Sequence, residues 1–199
     1  LRIGALERLH DLQFNPEIVA HFPLLIKAAL SVGSPLIRKS ATLGGNVLCE
    51  NRCLFYNQSE WWRNAIGYCL KCEGDICIAT GGKNACFSEL VSDTAPALIA
   101  MDALIEVQSV RGTQRMKLED IYSGDGVNPR KLPADSILTT FLLPLHRKFK
   151  TDFYKLRERE SLEFTSLTVA AALDASGKLK IAMAGIDPGP VVVESDTPY

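Results

Sequence analysis

The chain has 199 residues, of which 47% are hydrophobic and 23% are charged, and its formal net charge is −1 at neutral pH. This length is sufficient to bury a sizeable core in one large domain or two small ones. A nearly neutral chain lacks the basic imbalance that usually accompanies nucleic-acid or membrane-surface binding, and no apolar run reaches the roughly 20 residues of a membrane-spanning helix. We therefore expect neither a nucleic-acid partner nor a membrane partner.

The chain begins at Leu1 rather than at a methionine, and we interpret it as part of a longer protein whose start lies upstream. It has no basic start followed by an apolar stretch, which is the pattern of a secretory signal. The expected compartment is the reducing cytoplasm, where clustered cysteines bind metals or catalyse more often than they form disulfides.

The first third of the chain is predicted to contain one strand and several helical segments. Residues 1–5 alternate as a short strand, and residues 5–12 carry apolar side chains at helical spacing. Asn15 is placed to cap a helical turn that starts at the following proline. A longer helix is predicted over residues 21–32, ending at Gly33.

The next motif, TLGGN at residues 42–46, is too rich in glycine for a plain strand. Adjacent glycines allow backbone N–H groups to approach an anionic or bulky ligand, and the threonine hydroxyl adds a hydrogen-bonding group. A glycine pair is nevertheless more often a simple turn. The sequence has neither the G-x-G-x-x-G signature of Rossmann folds nor a P-loop signature.

All six cysteines of the chain fall within residues 49–86. The surrounding segment 50–88 is rich in glycine and aromatic residues and has poor apolar periodicity. A long irregular loop is uncommon in a compact domain unless it is functional, and a bound metal would supply the missing stability. We therefore expect this segment to fold around a metal centre.

Two sets of four cysteines compete as ligands. Cys49-x3-Cys53-x15-Cys69-x2-Cys72 has two close pairs, which is typical of tetrahedral zinc sites. The alternative set omits Cys49 and Cys72 and uses Cys77 and Cys86 instead, in the order Cys53-x15-Cys69-x7-Cys77-x8-Cys86. These wide intervals suit a larger object such as a [4Fe–4S] cluster. Spacing alone favours zinc, with reduced buried cysteines and disulfides as further alternatives.

Regular structure returns after residue 93, where strands predominate and helices are interspersed without an ordered βαβ series, which indicates an α+β fold. The predicted elements are a helix at 96–103, a strand at 104–110, a turn at 111–113, a helical turn at 118–122, and strands at 136–145, 153–159, 167–173 and 179–185, with a turn at 175–178.

The ordered set of motifs resembles the FAD-binding medium (β) subunit of the molybdenum hydroxylases, the family of xanthine dehydrogenase and carbon monoxide dehydrogenase. The resemblance rests on IRKSATLGGN at residues 37–46, SDTAPALIA at 92–100, a strand ending at Pro144, and the late Lys155. It implies a second FAD-binding subdomain of the PCMH type over residues 1–145, with a mixed or antiparallel sheet and helices. It also implies a truncated α+β C-terminal domain like that of the carbon monoxide dehydrogenase flavoprotein over residues 146–199.

The cysteine-rich segment 50–88 interrupts this family pattern. At this cysteine spacing it is similar to an insertion in the β subunits of 4-hydroxybenzoyl-CoA reductases, which holds a [4Fe–4S] cluster. The resemblance therefore selects Cys53, Cys69, Cys77 and Cys86 as ligands and leaves Cys49 and Cys72 as bystanders. It also implies that Trp61, Trp62 and Tyr68 shield the cluster from water.

The resemblance further implies which residues contact the flavin. Asp93 has a competing interpretation as the cap of the helix that starts near Pro96. The family's pyrophosphate-binding loop would lie upstream of Leu1, so we expect this fragment alone to bind FAD weakly or not at all. The implied flavin contacts are Val32, Thr42, Leu43, Gly44, Gly45, Asn46, Asp93, Leu138 and Lys155.

The function implied by the resemblance is electron transfer, with no catalytic acid–base residues in this chain. Electrons would pass between a [4Fe–4S] cluster, FAD, a [2Fe–2S] small subunit and a molybdenum-cofactor large subunit, which would reduce an aromatic acyl-CoA; a ferredoxin-type protein is a possible donor. One alternative is a family member with a zinc-binding docking insertion, and another is a non-redox interaction domain.

Overall fold

In a computed structural model that describes residues 1–196, the chain forms two four-stranded antiparallel sheets. The first has the strand order β1-β4-β2-β3, and the second follows chain order, β5-β6-β7-β8. Together with the helices, these sheets confirm the predicted α+β class. The strands are β1 (Arg2–Gly4), β2 (Leu104–Ser109), β3 (Gly112–Lys117), β4 (Ile137–Leu142), β5 (Phe149–Leu156), β6 (Leu167–Asp174), β7 (Leu179–Ala184) and β8 (Val191–Ser195).

The α-helices are short, and hydroxyl or amide side chains cap several of them. The predicted cap at Asn15 is confirmed, since its side chain accepts hydrogen bonds from the backbone N–H groups of Glu17 and Ile18. No helix within residues 1–196 is long and apolar enough to cross a membrane. The helices are α1 (Pro16–His21), α2 (Pro23–Leu30), α3 (Pro35–Ser40), α4 (Leu43–Val47), α5 (Glu60–Ile66) and α6 (Thr94–Ala100).

Helix α6 is the centre of the core, and all seven of its residues are buried. It packs against β6 and β7 on one side and against α2 and α4 on the other. A short helix that is apolar all round is stable when it is enclosed on every side. The predicted flavin contact Asp93 directly precedes α6, and the cysteine-rich segment 50–88 ends five residues before Asp93.

The predicted helix over residues 5–12 is wrong. The backbone there pairs with the TLGGN segment instead, since the N–H groups of Leu9, Leu43 and Gly44 donate to the carbonyls of Ala41, Glu7 and Ala5. Helical spacing of apolar residues did not reveal this long-range pairing. The sequence also missed β8, assigned the start of β3 to a turn, and treated as irregular the segment that contains α5.

An ionic cluster around the buried Lys180 links the second sheet to the segments that follow α6 and β3. The Lys180 side chain on β7 is only 5% exposed and contacts Asp102 after α6, Glu119 and Glu194 at 3.0, 2.9 and 3.2 Å. Arg147 joins the same cluster through Asp102 and lies 2.7 Å from Asp174. Residues 143–148 connect β4 of the first sheet to β5 of the second sheet. The domain boundary predicted after residue 145 remains a prediction, and residues 197–199 of the second predicted domain lie outside the described chain.

A second ionic group, at Glu106 on β2, makes the first sheet sensitive to acid. Hydrogen bonds from Arg2 and Arg115 hold the pKa of this carboxyl at about 2, below its ordinary value. Because the folded-state pKa is the lower one, the contribution to stability is complete above the ordinary carboxyl pKa and is lost as the pH falls towards 2. We expect wild type to exceed Glu106→Gln in Tm near neutral pH, with the difference vanishing at about pH 2. A difference that is independent of pH would contradict this.

Candidate functional site

The TLGGN motif begins helix α4 and is not the turn that the sequence suggested. The Thr42 hydroxyl accepts a hydrogen bond from the Gly45 N–H at 3.0 Å, which caps the helix. The Asn46 side-chain oxygen accepts from the Ser92 hydroxyl, the Thr94 N–H and the Thr94 hydroxyl at 3.0, 3.1 and 2.6 Å. The motif is therefore clamped to the start of α6, and the Asn46 carboxamide oxygen is fully engaged within the protein.

The two glycines of the motif differ in their surroundings. Gly44 is buried, and a Cβ atom there would lie 2.9 Å from the Ala5 carbonyl oxygen and 3.0 Å from its Cβ. Gly45 is exposed, and a Cβ atom there would meet only the Thr42 hydroxyl, at 3.0 Å. The buried glycine permits close packing of the chain on itself, and the exposed one leaves bare backbone that a bulky anionic group can approach.

We expect Gly44→Ala to lower stability more than Gly45→Ala. Overpacking against backbone costs about 1–3 kcal/mol, which exceeds the ~1 kcal/mol that alanine gains over glycine in a helix. At Gly45 the neighbouring hydroxyl can rotate aside. Urea unfolding of the two variants measures the difference, and equal stability would show that the contact with Ala5 relaxes freely.

Asp93 and Lys155 form a buried ion pair, with the ammonium nitrogen 2.7 Å from a carboxylate oxygen and both side chains at most 5% exposed. Lys155 also donates to the carbonyl oxygens of Ser31 and Glu163, each at 3.2 Å. The second Asp93 oxygen accepts from the Thr168 hydroxyl at 2.9 Å. Burial raises the pKa of the Asp93 carboxyl, and Lys155 offsets part of that rise. Two residues predicted separately thus form one charged unit.

Asp93 does not cap α6, so that interpretation is wrong. It stands at the position before the helix, but its side chain makes no capping hydrogen bond. The Ser92 hydroxyl instead accepts from the Ala95 N–H at 3.0 Å. The Asp93 carboxylate is consequently free to face Lys155 and Thr168 on the second sheet.

The remaining predicted flavin contacts border the same region. Val32 is half-buried beside Ser31, and its carbonyl accepts a hydrogen bond from Arg38 at 2.8 Å. Leu43 is fully buried in the core. Leu138 is 7% exposed on β4, next to the residue whose carbonyl binds the Ala5 N–H. Gly45 exposes backbone that a ligand can reach, whereas the Asp93–Lys155 pair, Leu43 and Leu138 are buried.

The four cysteines selected by resemblance line one enclosed cavity, namely Cys53, Cys69, Cys77 and Cys86. Cys49 and Cys72 are not among its lining residues. The cavity holds about 10 Å³, which is too small for a four-iron cluster unless its walls move outward. Cysteine sulfurs are the ligands that such clusters use. Residues 1–196 contain no group of three or more His, Cys, Asp or Glu side chains placed to hold a single metal ion.

Apolar neighbours of the cysteines form the walls of this cavity, and they are Phe55, Tyr56, Leu70, Ile78 and Ala79. The predicted shielding by Trp61 is wrong, because that side chain is 79% exposed. Trp62 contacts the wall residue Phe55 in a tilted arrangement, with ring centroids 6.2 Å apart. Tyr68 is 39% exposed and donates its hydroxyl hydrogen to Glu60 at 2.5 Å. The apolar wall residues lie within three positions of a cavity cysteine in the sequence, and this proximity could have identified them.

A buried cation, Lys71, also lines the cavity, and its side chain is only 5% exposed. Its ammonium group lies 4.9 Å from the centre of the Tyr56 ring, 3.5 Å from the Ser88 hydroxyl and in an ion pair with Glu50. The same Ser88 hydroxyl accepts from the Cys86 thiol at 3.4 Å. Sequence reasoning missed Lys71, since a lone lysine in an irregular segment gives no sign of burial.

The thiols differ in their electrostatic surroundings. Burial raises the pKa of the Cys77 thiol, but hydrogen bonds from the Thr80 hydroxyl and from the backbone at Phe87, Thr80 and Ala79 outweigh it and lower the pKa overall. Burial raises the pKa of the Cys49 thiol to about 11, although the charge of the nearby Arg130 acts to lower it. Burial and the neighbouring Cys69, whose thiol is hydrogen-bonded to it, raise the pKa of Cys72. Among these three, Cys77 lies in the environment that best stabilises a thiolate.

Comparison with known proteins gives a family model and several relatives. The model described as the FAD binding domain in molybdopterin dehydrogenase matches residues 1–146. The aldehyde oxidoreductase FAD-binding subunit PaoB of Escherichia coli is 30% identical, covering 98% of this chain and 64% of that protein. The nicotinate dehydrogenase FAD-subunit of Eubacterium barkeri is 29% identical, covering 89% of this chain and 48% of that protein. The chain thus spans about half to two thirds of the length of these relatives.

Solved structures share the fold at low sequence identity. A carbon monoxide dehydrogenase chain from Hydrogenophaga pseudoflava superimposes with a TM-score of 0.67 at 17% identity, covering 96% of this chain and 54% of that chain. Quinoline 2-oxidoreductase from Pseudomonas putida 86 gives a TM-score of 0.66 at 15% identity, with the same coverage. These similarities show that the two-sheet fold is shared with these chains.

Proposed function

The chain belongs to the family of FAD-binding domains in molybdopterin dehydrogenases, and from this premise we propose that its protein is an electron-transfer subunit of a molybdenum-containing oxidoreductase. The proposed enzyme resembles 4-hydroxybenzoyl-CoA reductase and acts on an aromatic acyl-CoA. Electrons pass between a [4Fe–4S] cluster in the cysteine-rich segment, FAD, and partner subunits. The partners are a [2Fe–2S] small subunit and a molybdenum-cofactor large subunit, with a ferredoxin-type donor in the cytoplasm.

The observation that carries the proposal is the convergence of Cys53, Cys69, Cys77 and Cys86 on one cavity. These cysteines are separated by intervals of 15, 7 and 8 residues, and Cys49 and Cys72 interleave with them in the sequence. Four thiolates are the usual ligand set of a cubane cluster. These four are the cysteines that the family resemblance implies.

The surroundings of the four thiols support the same proposal. A bound cluster supplies one-electron transfer, at a potential set by charge, hydrogen bonding and burial. The Cys77 sulfur accepts hydrogen bonds from Thr80 and nearby backbone, which stabilise it as a thiolate. The buried ammonium group of Lys71 offsets part of the negative charge of four thiolates, and the apolar wall excludes water from them.

The flavin region provides binding and orientation. FAD, when bound, supplies the redox chemistry, and the protein supplies position and charge. The backbone at Gly45 and the Thr42 hydroxyl border the approach to this region, with Val32 on the neighbouring loop. Asp93 and Lys155 hold a fixed charge pair there. Domain 1–145 would carry these contacts, and domain 146–199 contributes Lys155.

The second candidate is a family member whose insertion is a zinc-stabilised docking module. The contact between the thiols of Cys69 and Cys72 favours it, because a C-x-x-C pair on a tight turn is typical of zinc knuckles. In that case the cysteine segment is structural, and the flavin exchanges electrons directly with the partner subunits.

Anaerobic expression of the full-length protein separates these candidates. Broad brown absorption with about four iron atoms per chain is the expected result for a Cys₄ cubane. One zinc atom without brown colour would instead establish the docking module. A flavin-free and metal-free protein that binds its partners would favour a non-redox interaction domain and would overturn the proposal.

A further inference from the structure

Cys72 is the one member of the C-x-x-C motif that the cavity does not use. It ends the short 3₁₀ helix Leu70–Cys72 and is half-buried, whereas Cys69 at the start of that helix lines the cavity. The two cysteines stand at the two ends of one turn, in which the Cys72 N–H donates to the Cys69 carbonyl. The Cys69 sulfur can therefore serve either as a ligand inside the cavity or as a partner of the Cys72 sulfur.

The backbone holds these cysteines at disulfide spacing. The Cys72 N–H donates to the Cys69 carbonyl at 2.7 Å, and the Gly74 N–H donates to the same oxygen at 3.0 Å. A turn closed by such an i to i+3 bond keeps its end Cα atoms within about 7 Å, and disulfides span about 4.4–6.8 Å. The turn therefore keeps the two Cα atoms close to the range that a disulfide spans.

The turn is also fixed in shape by the residues that follow. Glu73 has a left-handed backbone conformation with a φ of 65°, and a Cβ atom on Gly74 would lie 1.9 Å from the Tyr68 carbonyl oxygen. The chain therefore folds tightly back on the start of the turn. This close return keeps the cysteine pair together even when the cavity is empty of metal.

We propose that Cys69 and Cys72 are a redox-active dithiol, which closes to a disulfide by exchange with a low-molecular-weight disulfide such as oxidised glutathione. One thiolate attacks a glutathione sulfur, forming a mixed disulfide and releasing one reduced glutathione. The other thiolate attacks the mixed disulfide at the protein sulfur and releases the second. Two protein thiols are oxidised, one glutathione disulfide is reduced, and the two thiol protons end on the two glutathione molecules.

The dithiol and the cluster exclude each other, so this part of the inference rests on the proposed function. While Cys69 holds iron, its sulfur has no free thiolate for exchange. Once iron is lost, the pair closes and protects the Cys69 sulfur from irreversible oxidation to sulfinic acid. The oxidised protein accepts a new cluster only after a dithiol reductant reopens the pair.

The test uses full-length protein stripped of iron by a chelator and incubated with oxidised glutathione. Peptide mass spectrometry is expected to show one dominant disulfide, between Cys69 and Cys72, with the other thiols open to alkylation. Cys72→Ser should lose this disulfide and should instead keep a glutathione mixed disulfide on Cys69, because no second thiolate is present to release the glutathione. Cys49→Ser is the matched control, since it removes a bystander thiol outside the turn and should behave as wild type.

Each result bears on one proposal. A dominant disulfide between Cys69 and another cavity cysteine, or no disulfide at all, would overturn the dithiol. A protein that forms the Cys69–Cys72 disulfide but never binds iron would overturn the cluster and leave the dithiol standing. Iron binding by wild-type protein that is equally fast with and without reductant after glutathione treatment would overturn the mutual exclusion.

Discussion

Replacement of Cys77 or Cys86 by serine is expected to reduce the iron content from about four atoms per chain to nearly none. Serine keeps the size of the side chain but does not supply a thiolate. Cys77 receives hydrogen bonds from Thr80 and nearby backbone, and Cys86 is linked through Ser88 to Lys71, so each sulfur belongs to a separate part of the cavity. Loss of either one leaves a cubane with three protein ligands. Iron analysis and the visible spectrum measure the effect.

The control for this experiment lies in the same segment. Cys49→Ser and Cys72→Ser remove thiols that do not line the cavity, and they should retain about four iron atoms. Zinc binding that is lost in these two variants and kept in Cys77→Ser and Cys86→Ser would establish the other set of four ligands. All variants should first be compared in thermal unfolding, so that loss of metal is separated from failure to fold.

Cysteine spacing alone predicts the zinc set of ligands and the family resemblance predicts the other set, because the two rest on different information. Spacing reports distance along the chain, whereas a ligand set depends on which side chains converge after a loop closes. Here the loop is closed at its base by paired backbone hydrogen bonds between Arg52 and Glu89, at 2.9 and 2.7 Å. That closure brings Cys53 and Cys86 together from opposite ends of the segment. No local pattern around either cysteine encodes such a closure.

The fold shows the same division between local and long-range information. Alternating strands such as β2 and the Asn15 cap were predictable, because each depends on residues close in sequence. The segment 5–12 was not, because its backbone pairs with residues 41–44. Asp93 was predicted as a flavin contact or a cap, and its ion-pair partner, Lys155, lies on β5, 62 residues further along the chain. Such long-range charge pairs follow from tertiary packing, which a single sequence does not display.

Replacement of Lys155 by methionine is expected to lower the free energy of unfolding by about 3–5 kcal/mol, because it leaves the Asp93 carboxylate buried without its cation. Asp93→Asn should cost a comparable amount by isolating the lysine. The double variant should be more stable than the sum of the single effects predicts, since it removes both charges at once. Urea unfolding of the four proteins at neutral pH completes the cycle. Additive losses would show that the two charges are stabilised independently.

An exposed ion pair on the same strand provides the matched control. Lys27 of α2 lies 3.7 Å from Asp152 of β5, and these side chains are 59% and 87% exposed. Water screens such a pair, so Lys27→Met should change stability little. The contrast tests burial directly, because both substitutions remove a lysine that contacts an aspartate from neighbouring elements. If Lys155→Met were as stable as Lys27→Met, a group other than Lys155 would stabilise the buried Asp93 carboxylate. The negative charge beside the proposed flavin region would then not depend on Lys155.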